Sequence, residues 1–130
     1  MKITLCGSTR FKDEFEYVNE RLTLAGHVVY SVAFFGHKRE TPLDPWEKQR
    51  LDLVHLAKIL ASDAILIVGS VDGKTPYIGE STRRERWWAL INDKSVFTTT
   101  SSDGHDDGDL WWLTDAALED AKLPVVEQTL

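Results

Sequence analysis

The chain has 130 residues, a length that suits a single domain over residues 1–130. Its 42% hydrophobic and 28% charged residues exclude the disordered and fibrous classes. A net charge of −6 leaves no basic stripe for wrapping a nucleic-acid polymer, although a mononucleotide needs only a local cationic site. A single cysteine, Cys6, cannot close an internal disulfide, and no apolar run approaches the ~20 residues of a membrane span or the pattern of a signal peptide. These absences give the expectation of a cytoplasmic protein with no membrane partner.

Residues 2–6 form a short β-prone run, followed by Gly7-Ser8-Thr9-Arg10 and an amphipathic stretch from Phe11 to Leu24 with Phe11, Phe15, Val18 and Leu22 at helical spacing. Ala25-Gly26 ends that helix, because glycine tolerates the left-handed conformation of a helix C-terminus. A second strand is expected over His27–Val32, then a polar loop from Gly36 to Asp44, then a helix from Trp46 to Leu60 with Leu53, Leu56, Ala57 and Leu60 at helical spacing. The apolar run Ala64–Val68 reads as a strand buried on both faces. A loop from Gly69 to Tyr77 leads to a helix opening at Gly79 or Glu80 and reaching about Leu90. Ser95–Thr99 is a further strand, and Leu110–Lys122 a final helix containing Trp111 and Trp112. Strand and helix alternate throughout, which predicts an open parallel α/β sheet with helices on both faces.

In such a sheet, ligands sit beyond the C-terminal ends of the strands. Gly7, Ser8, Thr9 and Arg10 leave one of those ends, and a ring of backbone N–H groups beside a guanidinium suits an anion. The same Ser and Thr read equally as a turn and N-cap. Neither GxGxxG nor GxxxxGK[ST] is present, so neither large nucleotide class is indicated. Taken alone, Glu80 is a helix N-terminal acid favoured by the macrodipole, Glu85 a surface partner of Arg84 or Arg86, His55 and Lys58 a solvated face, and Asp63 a cap or turn former. The four histidines and one cysteine show no zinc spacing. The acidic loop of Asp103, Asp106, Asp107 and Asp109 lacks the glycine placement and terminal glutamate of an EF-hand. No metal or organic cofactor is expected.

Cys6-Gly7-Ser8-Thr9-Arg10, the Ser62-Asp63-Ala64 lead into an apolar strand, and the run from Tyr77 through Gly79-Glu80-Ser81-Thr82 to Glu85 together resemble the nucleoside 2-deoxyribosyltransferase superfamily. Within it, the closer resemblance is to the branch of 2′-deoxynucleoside 5′-phosphate N-hydrolases. The likeness runs from Lys2 to about Thr99. It implies a Rossmann-like, flavodoxin-like sheet of four to five strands and a homodimer with the active site near its interface. It also implies cleavage of the N-glycosidic bond of a small-molecule nucleoside or nucleotide. Glu80 falls on the family's nucleophile, and Gly7 to Arg10 fall on the loop that holds the 5′-phosphate in monophosphate-specific members.

Eight residues before Asp63, where many members carry an aspartate that orients nucleophile and base, this chain has His55, which can donate as well as accept. Thr4 replaces a first-strand tyrosine, and Tyr77 and Ile78 replace small residues before the glutamate. Phe34, Phe35 and His37, with Asp63, Tyr77 and Gly79, complete the expected base or sugar pocket; packing of the first three against the core is the competing reading. Trp87 and Trp88 read as core and dimer-interface aromatics. The expected reaction is hydrolysis of a nucleoside 5′-monophosphate through a glutamyl–sugar ester, with Glu80 as nucleophile and His55 as acid or orienting group. Base exchange between deoxynucleosides and non-catalytic nucleotide binding are the alternatives.

Overall fold

The computed structural model describes residues 1–33, 42–73 and 75–99. In these, four parallel strands form one sheet in the order β2-β1-β3-β4: β1 (Lys2–Cys6), β2 (Val28–Tyr30), β3 (Ala64–Ile67) and β4 (Ser95–Thr98). The helices are α1 (Lys12–Leu24), preceded by a 3-10 turn at Thr9–Phe11, α2 (Pro45–Leu60) and α3 (Glu80–Ile91). Phe34, Phe35, His37, the acidic loop at 103–109 and the expected helix at 110–122 lie outside the described residues.

The apolar runs dictate which strands are central. All four residues of β3 and the last four of β1 are buried, whereas β2 and β4 are only partly covered and stand at the two ends of the strand order among the described residues. Alternation along β1 and β3 then separates two cores. Ile3, Leu5, Leu66 and Val68 pack against Phe15, Val18 and Leu22 of α1 on one face. Cys6, Ile65 and Ile67 pack against Ile59 of α2 and Ala89 of α3 on the other. The register Ile3↔Ala64 through Cys6↔Ile67 brings the C-terminal ends of β1 and β3 level, and the strand order reverses between these two strands.

Local signals account for the helix boundaries. Gly26, at φ 96°, closes α1, with the His27 N–H donating to the Leu22 carbonyl. Asp44 and Glu47 form a reciprocal capping box at the start of α2, with Pro45 in the first turn. The rotation of α2 departs from expectation. Its buried residues are His55 and Ile59, while Leu53 and Leu60 are exposed. The apolar residues of α2 span more than one face, and contact with the sheet selects the face carrying His55. Trp88 is half-buried and donates its indole N–H to the Leu56 carbonyl at 3.2 Å, tying α3 to α2, while Trp87 is exposed.

Candidate active site

A cleft of about 1150 Å³ opens at the C-terminal ends of β1 and β3. Its walls come from the Gly7-Ser8-Thr9 turn, the start of α1, the inner face of α2, and the first turns of α3. The turn is held by glycine geometry. Gly7 has φ 140°, and a Cβ there would stand 2.4 Å from the Val68 carbonyl oxygen, so the strand ends can approach only without a side chain. At the matching end of β3, a Cβ on Gly69 would stand 2.3 Å from the Phe11 ring. Ser8 then caps the 3-10 turn, its hydroxyl accepting from the Arg10 N–H at 3.4 Å.

The loop after β3 is braced internally. The Thr75 N–H donates to the Asp72 carboxylate at 2.8 Å, and the Gly73 N–H to the Ser70 hydroxyl at 2.9 Å. The Tyr77 N–H donates to the Gly69 carbonyl at 2.9 Å, which returns the chain to the cleft. Tyr77 lines the cleft and meets the Phe11 ring edge-on at 5.7 Å. Gly79 is the N-cap of α3, and Glu80 occupies its first turn, exposed and facing the cleft, where the positive end of the helix dipole favours a carboxylate.

Gly7, Ser8, Thr9, His55, Tyr77, Gly79 and Glu80, separated by up to 73 positions in sequence, thus line one cleft. Arg10 does not line it: its guanidinium stacks over the Tyr77 ring, 4.7 Å from the centroid. Asp63 is displaced further, and this corrects its place in the expected pocket. It precedes β3 at the opposite edge of the sheet, where its carboxylate accepts from the Lys2 N–H at 2.8 Å. A residue before a parallel strand lies at the edge away from the ligand end, so Asp63 braces the sheet. Thr4 is buried within β1 and shares a hydrogen bond with the Ser62 hydroxyl.

Several cleft residues were passed over in the sequence or, like Lys58, read as a solvated face. Lys12, Lys48 and Lys58 bring cations to the walls, with Lys58 donating to the Ser31 carbonyl at 2.8 Å, and Glu16 and Asp52 bring carboxylates. Glu85 is the largest departure. Read as a surface partner of Arg84 or Arg86, it is largely buried, with its Oε1 3.8 Å from Nε2 of His55. The same Nε2 lies 3.5 Å from Sγ of Cys6. Burial pushes the Glu85 carboxyl up to about 7, with Asp52 adding to the shift and a hydrogen bond to Cys6 and the nearby Arg84 opposing it. Burial, helped by Lys58, lowers His55 to about 4 against a hydrogen bond to the Leu5 backbone, and burial and Glu85 raise the Cys6 thiol well above its ordinary value. The spacing of His55 and Ile59, four residues apart and followed at 62 by a small buried serine, was the one signal that this face of α2 turns inward.

No protein-family model matches the chain, and no curated protein matches it. Among solved structures, a 2-deoxyribosyltransferase from the psychrotolerant bacterium Bacillus psychrosaccharolyticus superposes with a TM-score of 0.60, over 78% of this chain and 74% of that one, at 17% sequence identity. The likeness is one of fold: a parallel sheet in a Rossmann-like arrangement, flanked by helices on both faces, is common to this chain and to that 2-deoxyribosyltransferase.

Proposed function

We propose that this chain is an enzyme that breaks the N-glycosidic bond of a nucleoside or nucleotide and passes the sugar to an acceptor, with Glu80 as the nucleophile. One observation carries the reading. Glu80 faces the same cleft as the Gly7-Ser8-Thr9 turn, at the point in the sheet where α/β proteins bind ligands. The Glu80 carboxylate attacks the anomeric carbon as the bond to the base breaks, and the base leaves with the bonding electrons and collects a proton. The resulting glycosyl ester is then opened by the acceptor, which frees the carboxylate. His55, engaged through Nε2 with Cys6 and Glu85, acts as an orienting group in this scheme.

The structural neighbour, a 2-deoxyribosyltransferase, supports a second base as acceptor. Hydrolysis of a 5′-monophosphate is the second reading. It is favoured by Lys12, Lys48 and Lys58, which line the same cleft as the Gly7-Ser8-Thr9 turn and bring cations to it. A homodimer belongs to the same proposal, and the exposed Leu53, Leu60, Trp87, Leu90 and Ile91 on α2 and α3 offer apolar surface for it.

The test is chromatographic. Purified protein is incubated with a panel of nucleosides and nucleoside 5′-monophosphates, with and without a second free base. A new nucleoside that requires the added base identifies transfer, whereas free base with sugar phosphate identifies hydrolysis. Glu80→Ala is expected to lose at least ~10³-fold in rate. Full base release by that variant refutes the nucleophile assignment, and tight binding with no turnover by the wild type replaces the enzyme with a nucleotide-binding protein.

A further inference from the structure

We infer that Cys6, His55 and Glu85 form a binding site for a divalent transition-metal ion of the zinc class, with one coordination position open to the cleft. The three side chains come from the end of β1, the middle of α2 and the middle of α3, and one ligand atom of each lies within 4.8 Å of the others. Tetrahedral zinc holds sulfur at ~2.3 Å and nitrogen at ~2.0–2.1 Å, which places those two atoms roughly 3.5 Å from one another. The Cys6 Sγ to His55 Nε2 separation is 3.5 Å, and that from Nε2 to Glu85 Oε1 is 3.8 Å. The sulfur and nitrogen therefore already stand at the spacing a bound ion needs, and the carboxylate oxygen, within 4.8 Å of both, has to move inward to complete the set.

The donor set selects the ion. A thiolate and an imidazole favour zinc over magnesium or calcium, which take oxygen ligands. One thiolate and one carboxylate balance a divalent charge, so the loaded site is neutral in a region where an unpaired charge would be costly. All three ligands sit on regular elements, which limits their freedom to move apart. Cys6 is fully buried, whereas His55 and Glu85 line the cleft, so the fourth position faces the space that a ligand or a water would enter. Spacing along the chain could not reveal this set, because its members are 49 and 30 residues apart.

Cobalt(II) provides the test, as a visible stand-in for zinc. The full chain is stripped with a chelator, exchanged into metal-free buffer and titrated. The expected result is saturation at one equivalent, with an intense near-ultraviolet thiolate-to-cobalt absorption that zinc displaces. Cys6→Ser should abolish that band, and Glu85→Gln and His55→Gln should each weaken binding by at least ~10-fold. Failure to take up cobalt, uptake without the thiolate band, or a Cys6→Ser variant with the wild-type spectrum overturns the inference. If Cys6→Ser does not fold, the wild-type spectrum decides alone. The readout is optical and needs no turnover, so its outcome is independent of the glycosidic reading.

Discussion

Replacing Gly7 by alanine drives a methyl group into main chain that has little freedom to yield. The added Cβ stands 2.4 Å from the Val68 carbonyl oxygen and 3.2 Å from Cζ of Phe15. Carbon–oxygen contacts settle at roughly 3.3–3.6 Å, so the ends of β1 and β3 must separate by about 1 Å. The Val68 N–H donates to the Cys6 carbonyl at 2.8 Å, and that bond is stretched by the same movement. The φ of 140° adds backbone strain of about 1–3 kcal/mol for a residue with a Cβ. Overpacking contributes a further ~1–3 kcal/mol, and reduced freedom of the unfolded chain returns ~0.4–1 kcal/mol. The net loss is about 3 kcal/mol at the middle of these ranges, which for a domain of this size lowers Tm by roughly 10 °C.

Gly26→Ala is the internal control, since Gly26 also has positive φ, at 96°, but a Cβ there meets nothing within 4 Å. It should show backbone strain alone and melt above Gly7→Ala. Thermal unfolding followed by circular dichroism makes the comparison. A Gly7→Ala protein that melts with or above Gly26→Ala refutes the argument that close approach of the strand ends requires this glycine.

Asp44→Ala removes one half of the capping box of α2 and should lower stability by about 1 kcal/mol, read as a shift in urea midpoint with unchanged slope. In metal-free protein, two buried groups give opposite pH dependences. Glu85, raised from 4.5 to about 7, keeps a proton in the folded state that the unfolded chain releases, so its contribution falls as pH rises through that interval. His55, lowered from 6.5 to about 4, binds fewer protons folded than unfolded, so its contribution rises with pH between those values. Lys58 beside His55, and Cys6, Asp52 and Arg84 beside Glu85, are the other groups acting on the pair. The two trends oppose each other across their overlap, and single variants separate them. Glu85→Gln should gain stability from pH 4 to 6.5 and His55→Gln lose it from pH 4.5 to 7; urea midpoints sloping the same way in both would contradict the assignment.

Much of the fold was legible because it rests on local chemistry. The runs at 2–6 and 64–68 read as strands, the second as buried on both faces, Gly26 ends α1, the helix expected from Trp46 begins one residue earlier at Pro45, and Glu80 opens α3. These signals concern a residue and its near neighbours, and tertiary contacts had no reason to override them. Glu80 and the Gly7-Ser8-Thr9 turn could be assigned to one cleft because alternating strands and helices place every strand's C-terminal end on the same edge.

Rotation and depth were not legible. Apolar residues on α2 suggested a face through Leu53, Leu56, Ala57 and Leu60, yet the sheet receives His55 and Ile59. Glu85 stands between Arg84 and Arg86, which reads as surface, and only the packing of α3 on α2 and β3 turns it inward to His55. Asp63 lies next to the central strand in sequence and at the far edge of the sheet in space. The sequence by itself determined which segments become strands and helices and which strand ends carry the cleft, because periodicity and caps are short-range. Tertiary structure alone decided which face of each helix meets the sheet, and so brought Cys6, His55 and Glu85 together from three elements, because that choice depends on packing between segments dozens of residues apart.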